Sequence, residues 1–187
     1  MPRIPTLKIA RLHLSEFTAA DKDAVFDYAS NPAVAATVTW HAHETTADSL
    51  AFIEFLQSKI NPDSDRPFLA WAIRDPLKQN CAIGSISFSQ FSPIAGQIDY
   101  ALAQSYWGRG LMTEAALAVR DFAFQNYPNL VRLQATCLEE NAGSRRVMEK
   151  SGLRFEGIAR AGMFVKGKPV DVATYAVLRS DFSQPQF

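Results

Sequence analysis

A chain of 187 residues with 48% apolar side chains is enough for one domain with a full core, and residues 1–187 are read as that single domain. Nineteen Lys and Arg balance nineteen Asp and Glu, so no overall field draws nucleic acid or an anionic membrane, and a charged ligand must be held by local geometry. Cys81 and Cys137 lack CxxC spacing and read as buried thiols, excluding a disulfide framework and a cysteine zinc site; with no signal-like start and no apolar run near the roughly 18 residues that span a bilayer, a cytoplasmic protein is expected.

Along residues 7–17, Leu7, Ile9, Leu12 and Leu14 make a broken period-two pattern, which predicts a first strand with a kink or bulge. Thr18-Ala19-Ala20-Asp21 is a capping box with Asp in place of Glu; it opens a helix carrying Ala24, Val25 and Tyr28 that Asn31-Pro32 stops. A second helix opens at Thr45, Thr46 and Asp48, carries Leu50, Ile53, Phe55 and Leu56, and closes at Asn61-Pro62. Runs at 68–74 and 81–88 flank a turn-forming segment, 75–80, and read as an antiparallel hairpin. A third run, 97–102, leads through Ser105-Tyr106-Trp107-Gly108-Arg109-Gly110 into a helix over about 112–126 with Ala116, Val119, Phe122 and Ala123 on one face. A strand at 130–137, a helix at 141–151 ended by Gly152, and a closing hairpin of 155–164 and 170–178 around Lys166-Gly167-Lys168-Pro169 complete the chain, with 181–187 expected to fray.

Two constellations carry chemistry. In Trp107-Gly108-Arg109-Gly110-Leu111-Met112-Thr113-Glu114, two glycines one residue apart between strand and helix let N–H groups turn toward an anion while the helix start adds positive dipole. The same loop also reads as an ordinary Gly-rich turn, and it matches neither GxxxxGK[ST] nor GxGxxG, which fails at Thr113. On a helix, Asn141, Ser144 and Arg145 at i, i+3 and i+4 put an amide, a hydroxyl and a guanidinium on one face. An N-capping Asn followed by a solvated basic turn accounts for the same residues.

In this order and separation, Tyr106-Trp107-Gly108-Arg109-Gly110 with Thr113-Glu114-Ala115, Glu140-Asn141 with Ser144-Arg145-Arg146, and Gly152-Leu153-Arg154-Phe155-Glu156-Gly157 resemble the GNAT superfamily of N-acetyltransferases. The RimJ/RimL-like branch is the closer likeness, supported by Phe164, Gly167, Asp171, Tyr175, Leu178 and Arg179, over about residues 7–179. The resemblance implies an α/β (α+β) GNAT fold, with a mixed central sheet of about seven strands splayed at the cofactor site and about four flanking helices. It implies transfer of acetyl from acetyl-CoA to an amine, with no metal. The main chain of Ala101, Leu102 and Ala103 would follow the pantetheine arm, and the amides of Trp107, Gly108, Arg109, Gly110, Leu111, Met112 and Thr113 would cradle the diphosphate. Asn141 would bond a pantetheine amide with Arg145 beside it, and Ser144 would lie near the sulfur, where a hydroxyl can protonate the departing thiolate.

Two positions depart from the family pattern. Ser105 stands where the phosphate loop usually begins with Gln or Arg, and Gln97 stands where the branch tends to carry a basic Glu. Asp99 shares a strand face with Gln97 and can substitute as base; solvating an edge, or pairing with a lysine, explains it equally. Trp40, Gln97 and Tyr100 are the candidate acceptor contacts, while His41 and His43 have the spacing of a metal-binding pair but lack further clustered ligands. The acceptor is read as the α-amine of a protein N-terminus, whose lower pKa tolerates a weak base. The alternatives are a small amine (polyamine, amino acid or amine antibiotic), for which a deep acidic pocket is expected, or a non-catalytic CoA-binding module; monomer and homodimer both fit.

Overall fold

The computed structural model describes residues 3–182; from Ser183 on, the tail expected to fray lies outside them. Its strands are β1 (Leu7–Lys8), β2 (His13–Ser15), β3 (Phe68–Asp75), β4 (Cys81–Ser92), β5 (Ala95–Leu102), β6 (Arg132–Leu138), β7 (Arg154–Val165) and β8 (Lys168–Leu178). They form one sheet in the order β1-β2-β3-β4-β5-β6-β8-β7. The helices are α1 (Lys22–Ala29), α2 (Pro32–Ala35), α3 (Thr46–Lys59), α4 (Leu111–Asn126), α5 (Ala142–Lys150) and α6 (Arg179–Phe182). None of the described helices is long and apolar enough to cross a membrane.

Alternation along β3 sorts the core into two layers. Ala70 and Ala72 meet Val25, Tyr28, Ile53 and Leu56 of α1 and α3, while Trp71 and Ile73 belong to the cluster built on Leu111, Ala115 and Val119 of α4. Both capping boxes form with the shorter acid: Thr18 N–H donates to Asp21 at 2.7 Å and Thr45 N–H to Asp48 at 2.8 Å. Asp21 also takes two bonds from Arg74, at 2.6 and 2.9 Å. Burial alone would raise its pKa, but Arg74 and the Thr18 amide hold the carboxyl below its ordinary value.

Several elements differ from what local pattern predicts. The first strand is a hairpin of two short strands, with Leu7 opposite Leu14, because the chain turns where Ile9 N–H donates to Leu12 O at 3.0 Å. Among the described residues the sheet therefore has eight strands rather than about seven, and single-turn α2 and α6 raise the helix number to six. Asn31-Pro32 ends one helix and starts another: the Asn31 side chain accepts from Ala33 N–H at 2.8 Å and Pro32 fills the first helical position. Cys81 is exposed, since it opens β4 beside the turn; Cys137 is partly buried. Phe55 of α3 and Phe91 of β4 are exposed.

What positions a site is the junction of β5 and β6. These neighbours are parallel and pair only at Ala95–Arg132, Gly96–Leu133 and Gln97–Gln134, after which they diverge. Gly96, at the start of this pairing, leaves room for the Phe88 ring of β4, since a Cβ on it would lie 2.7 Å from that ring.

Candidate active site

The gap opens into a cleft of about 710 Å³ that runs from the start of α4, between β5 and β6, to the segment after α2. Along β5, Ala103 N–H donates to Ile83 O at 2.8 Å and Ala101 pairs with Ser85, so both turn their main chain to β4. By alternation, the main-chain groups of Tyr100 and Leu102 face the gap. Leu102 O is already taken by the Trp107 indole N–H at 2.8 Å, which ties the loop to the strand end.

At one end lies the glycine loop. Gly108 and Gly110 adopt φ of 72° and 75°, the left-handed region. A Cβ on Gly108 would meet nothing within 4 Å, and one on Gly110 only Arg11 Nη2 at 3.6 Å, so no protein atom fills the concavity. Glu114 N–H to Gly110 O, 3.1 Å, begins the α4 ladder, leaving the amides of Leu111, Met112 and Thr113 without intrahelical acceptors at the positive end of a sixteen-residue helix. Glu114 would oppose an anion there, but Arg11 neutralises it with two bonds of 2.8 Å and also donates to Arg109 O at 3.0 Å.

On the α5 side of the gap, Tyr100 Oη and Ser144 Oγ are 2.9 Å apart. Asn141 caps α5 by accepting from Ser144 N–H at 2.9 Å, and its amide donates to Thr37 O at 3.4 Å. Cys137 lines the same stretch, and burial pushes both its thiol and the Tyr100 phenol up in pKa.

Asp99 and Gln97 occupy the opposite face of β5. Gln134 Nε2 donates to Gln97 Oε1 at 3.0 Å, and Gln97 Nε2 donates to Asp99 Oδ1 at 2.8 Å. A Glu at 97 would set two carboxylates against each other, whereas the amide accepts from one neighbour and donates to the next. Asp99 reaches solvent through the cleft, yet the walls around it strip enough water to raise its pKa, against the Gln97 bond that lowers it.

Among the residues expected at the site, Trp40, Asp99, Tyr100, Asn141, Ser144 and the loop apart from Arg109 line the cleft, as do Ala101 and Leu102. Gln97, Ala103, Arg109 and Arg145 do not. Arg109 lies over the Tyr106 ring at 5.0 Å, and Arg145 turns to β8, donating to Tyr175 Oη at 3.0 Å above the Phe155 ring. Cleft-facing charge on α5 instead comes from Arg146 and Lys150, which with Gly143 and Val147 follow i, i+3, i+4, i+7 spacing, a legible signal. Arg11 and Gln134, more than thirty residues from their partners, carried none. His43 bonds Ser49 at 2.9 Å, and among the described residues no three His, Cys, Asp or Glu cluster to hold a metal.

Comparison with known proteins agrees with this geometry. The family described as Acetyltransferase (GNAT) domain matches residues 11–154. The chain is 39% identical over 105 residues to the probable N-acetyltransferase YjcK of Bacillus subtilis, a match spanning 54% of this chain and 58% of that protein. It is 31% identical over 174 residues to the uncharacterized N-acetyltransferase YnaD of the same organism, covering 92% of this chain and 96% of YnaD. RimL, a ribosomal L7/L12 alpha-N-protein acetyltransferase solved with coenzyme A as a CoA–cysteine disulfide, shares the fold at a TM-score of 0.78, with 19% identity over 93% of this chain and 98% of RimL. An open anion cradle, a gap between parting strands and a polar pair on either face suit a long phosphorylated carrier that ends in a thioester. The chain belongs to the GNAT family: it is an acetyl-CoA-dependent N-acetyltransferase with the fold of the RimJ/RimL-like branch.

Proposed function

We propose that the acceptor is the α-amine of a protein or peptide N-terminus, with Asp99 as the base and Ser144 as the acid. The observation that carries this is that Asp99 is the one carboxylate among the described residues lining the cleft. A polyamine calls for several carboxylates, whereas a single one, in a cleft also lined by Trp40, Phe52 and Leu56, suits one amino group attached to an uncharged body. That RimL, with the same fold, is an alpha-N-protein acetyltransferase supports the same acceptor.

In this mechanism the amides of the glycine loop and the start of α4, with Arg146 and Lys150 near by, hold the diphosphate, and the Tyr100 and Leu102 main chain lies along the arm. Acetyl-CoA supplies the activated acyl group. Asp99, oriented by Gln97, takes the proton that the ammonium must lose before it attacks. As the carbon–nitrogen bond forms and the carbon–sulfur bond breaks, Ser144 gives its hydroxyl proton to sulfur and regains one, by way of solvent, from the nitrogen, which sheds its second proton on becoming the amide; Tyr100, 2.9 Å away, holds that hydroxyl in place.

The test is free-thiol release from acetyl-CoA across N-terminal peptides, N-blocked lysine peptides and small amines. Turnover of unblocked peptides is expected. Rapid lysine acetylation with an inert α-amine would overturn the proposal, and coenzyme A binding without turnover of any of these acceptors would remove the roles given to Asp99 and Ser144.

A further inference from the structure

The cleft has a wall whose support the chemistry above does not explain. Thr37, Val38, Thr39 and Trp40, the segment leaving α2, line it, and so does Met163 of the β7–β8 hairpin. Wall and hairpin are 131 and 128 residues apart at the two points where they join: Lys166 Nζ, at the hairpin turn, donates to Ala35 O and, at 3.1 Å, to Val38 O. Ala35 O, the last carbonyl of α2, accepts from Val38 N–H at 3.3 Å, and the Lys166 ammonium adds a charged donor to it while also reaching Val38 O, three residues beyond the helix.

The turn itself does not call for lysine. Lys166 and Gly167 have φ of 50° and 80° between the paired residues Val165 and Lys168, the positions of a two-residue hairpin turn that Asn or Gly fill with less strain. A long flexible stem with three donors is instead what reaching two carbonyls across the cleft requires. A second tie between this wall and the far side is the 3.4 Å bond from Asn141 to Thr37 O. If Asn141 turned to the cofactor, that tie would be lost and the Lys166 bonds would remain.

We propose that Lys166 is a positioning residue for the acceptor: by tying Ala35 and Val38 to the hairpin, it fixes the wall of residues 37–40 against which the acceptor lies. The proposal rests on reading that wall as the acceptor's. Acceptor affinity should therefore depend on Lys166, while cofactor binding and the transfer step should not.

The variant K166M keeps the stem and the same backbone conformation but removes the donors, and K166R restores donors. Hydrogen exchange with coenzyme A bound should show amides of residues 36–42 opening about tenfold more in K166M, the worth of one or two hydrogen bonds, and near wild type in K166R. With a peptide that the wild type acetylates, KM for the peptide should rise about tenfold in K166M while kcat and KM for acetyl-CoA stay within about twofold. Unchanged exchange at 36–42 overturns the tie, and a rise in KM for acetyl-CoA instead of the peptide overturns the acceptor role. A wild type that acetylates small amines and no peptide sinks the α-amine reading alone; the same KM comparison, made with that amine, then judges Lys166.

Discussion

Replacing Asp99 with Asn separates the base from the scaffold around it. The amide is isosteric, and its oxygen can still accept from Gln97 Nε2, now 2.8 Å from the carboxylate, so the cleft should keep its shape. At pH 7 an α-amine of pKa ~8 is about 10% neutral and a lysine of pKa ~10.4 about 0.04%, a ratio of roughly 250. A general base is worth about 10²- to 10⁴-fold, and an acceptor already partly neutral needs the low end of that range. D99N should therefore lower kcat/KM for an N-terminal peptide about 100-fold at pH 7 and only about tenfold at pH 9, where the amine sheds its proton unaided. In the wild type, burial raises the Asp99 pKa, so activity should fall on acidification above the usual carboxylate range. Initial rates of thiol release from pH 6 to 9 measure both. A deficit under about threefold at pH 7, or one that does not shrink as pH rises, refutes Asp99 as base.

Three further substitutions test other parts. Ser144→Ala should lower kcat about 10- to 100-fold with CoA affinity within about twofold by calorimetry; unchanged turnover removes Ser144 from the mechanism. Gly110→Val imposes a branched side chain at φ 75°, costing about 1–2 kcal/mol locally, and should weaken CoA binding at least about tenfold in the same titration; unaltered affinity would refute the loop's role as the diphosphate cradle. Asp21→Asn leaves Arg74, 13% exposed, without its counter-charge and should cost about 3 kcal/mol in urea denaturation near neutral pH. Because the Asp21 pKa is lowered in the fold, that stabilisation is full above the unfolded carboxyl's pKa and is lost as pH falls through the folded one, so the two proteins should converge in acid.

The elements most legible in the sequence were those set by neighbouring residues. The capping box at Thr18, the helix start at Thr45, the glycines at 108 and 110, the apolar face of α4 and the strand-forming run of β3 all act within a few positions, and the structure places each where local pattern predicts. The β1–β2 hairpin replaces the single kinked strand that the pattern predicts because Leu7 and Leu14 face one another across a turn that has neither Gly nor Pro at its centre, and period two does not distinguish one bent strand from two. The paired Gln97 and Asp99 followed from alternation along one strand, but their link to Gln134 crosses to β6. Arg11 on Glu114 is a contact over 103 residues, and Lys166 on Ala35 one over 131, so the sequence around each gives no sign of it.

The weak seam between β5 and β6 has a mechanical consequence. Three paired positions join the five-strand and three-strand parts of the sheet, against eight between β4 and β5 and seven between β6 and β8. A molecule lodged in that rift works as a splice, adding cross-links where the scaffold has fewest. At a hundred times its dissociation constant, such a splice would contribute about 2.7 kcal/mol by mass action, and the added resistance to unfolding should concentrate along the torn edge rather than spread evenly through the protein.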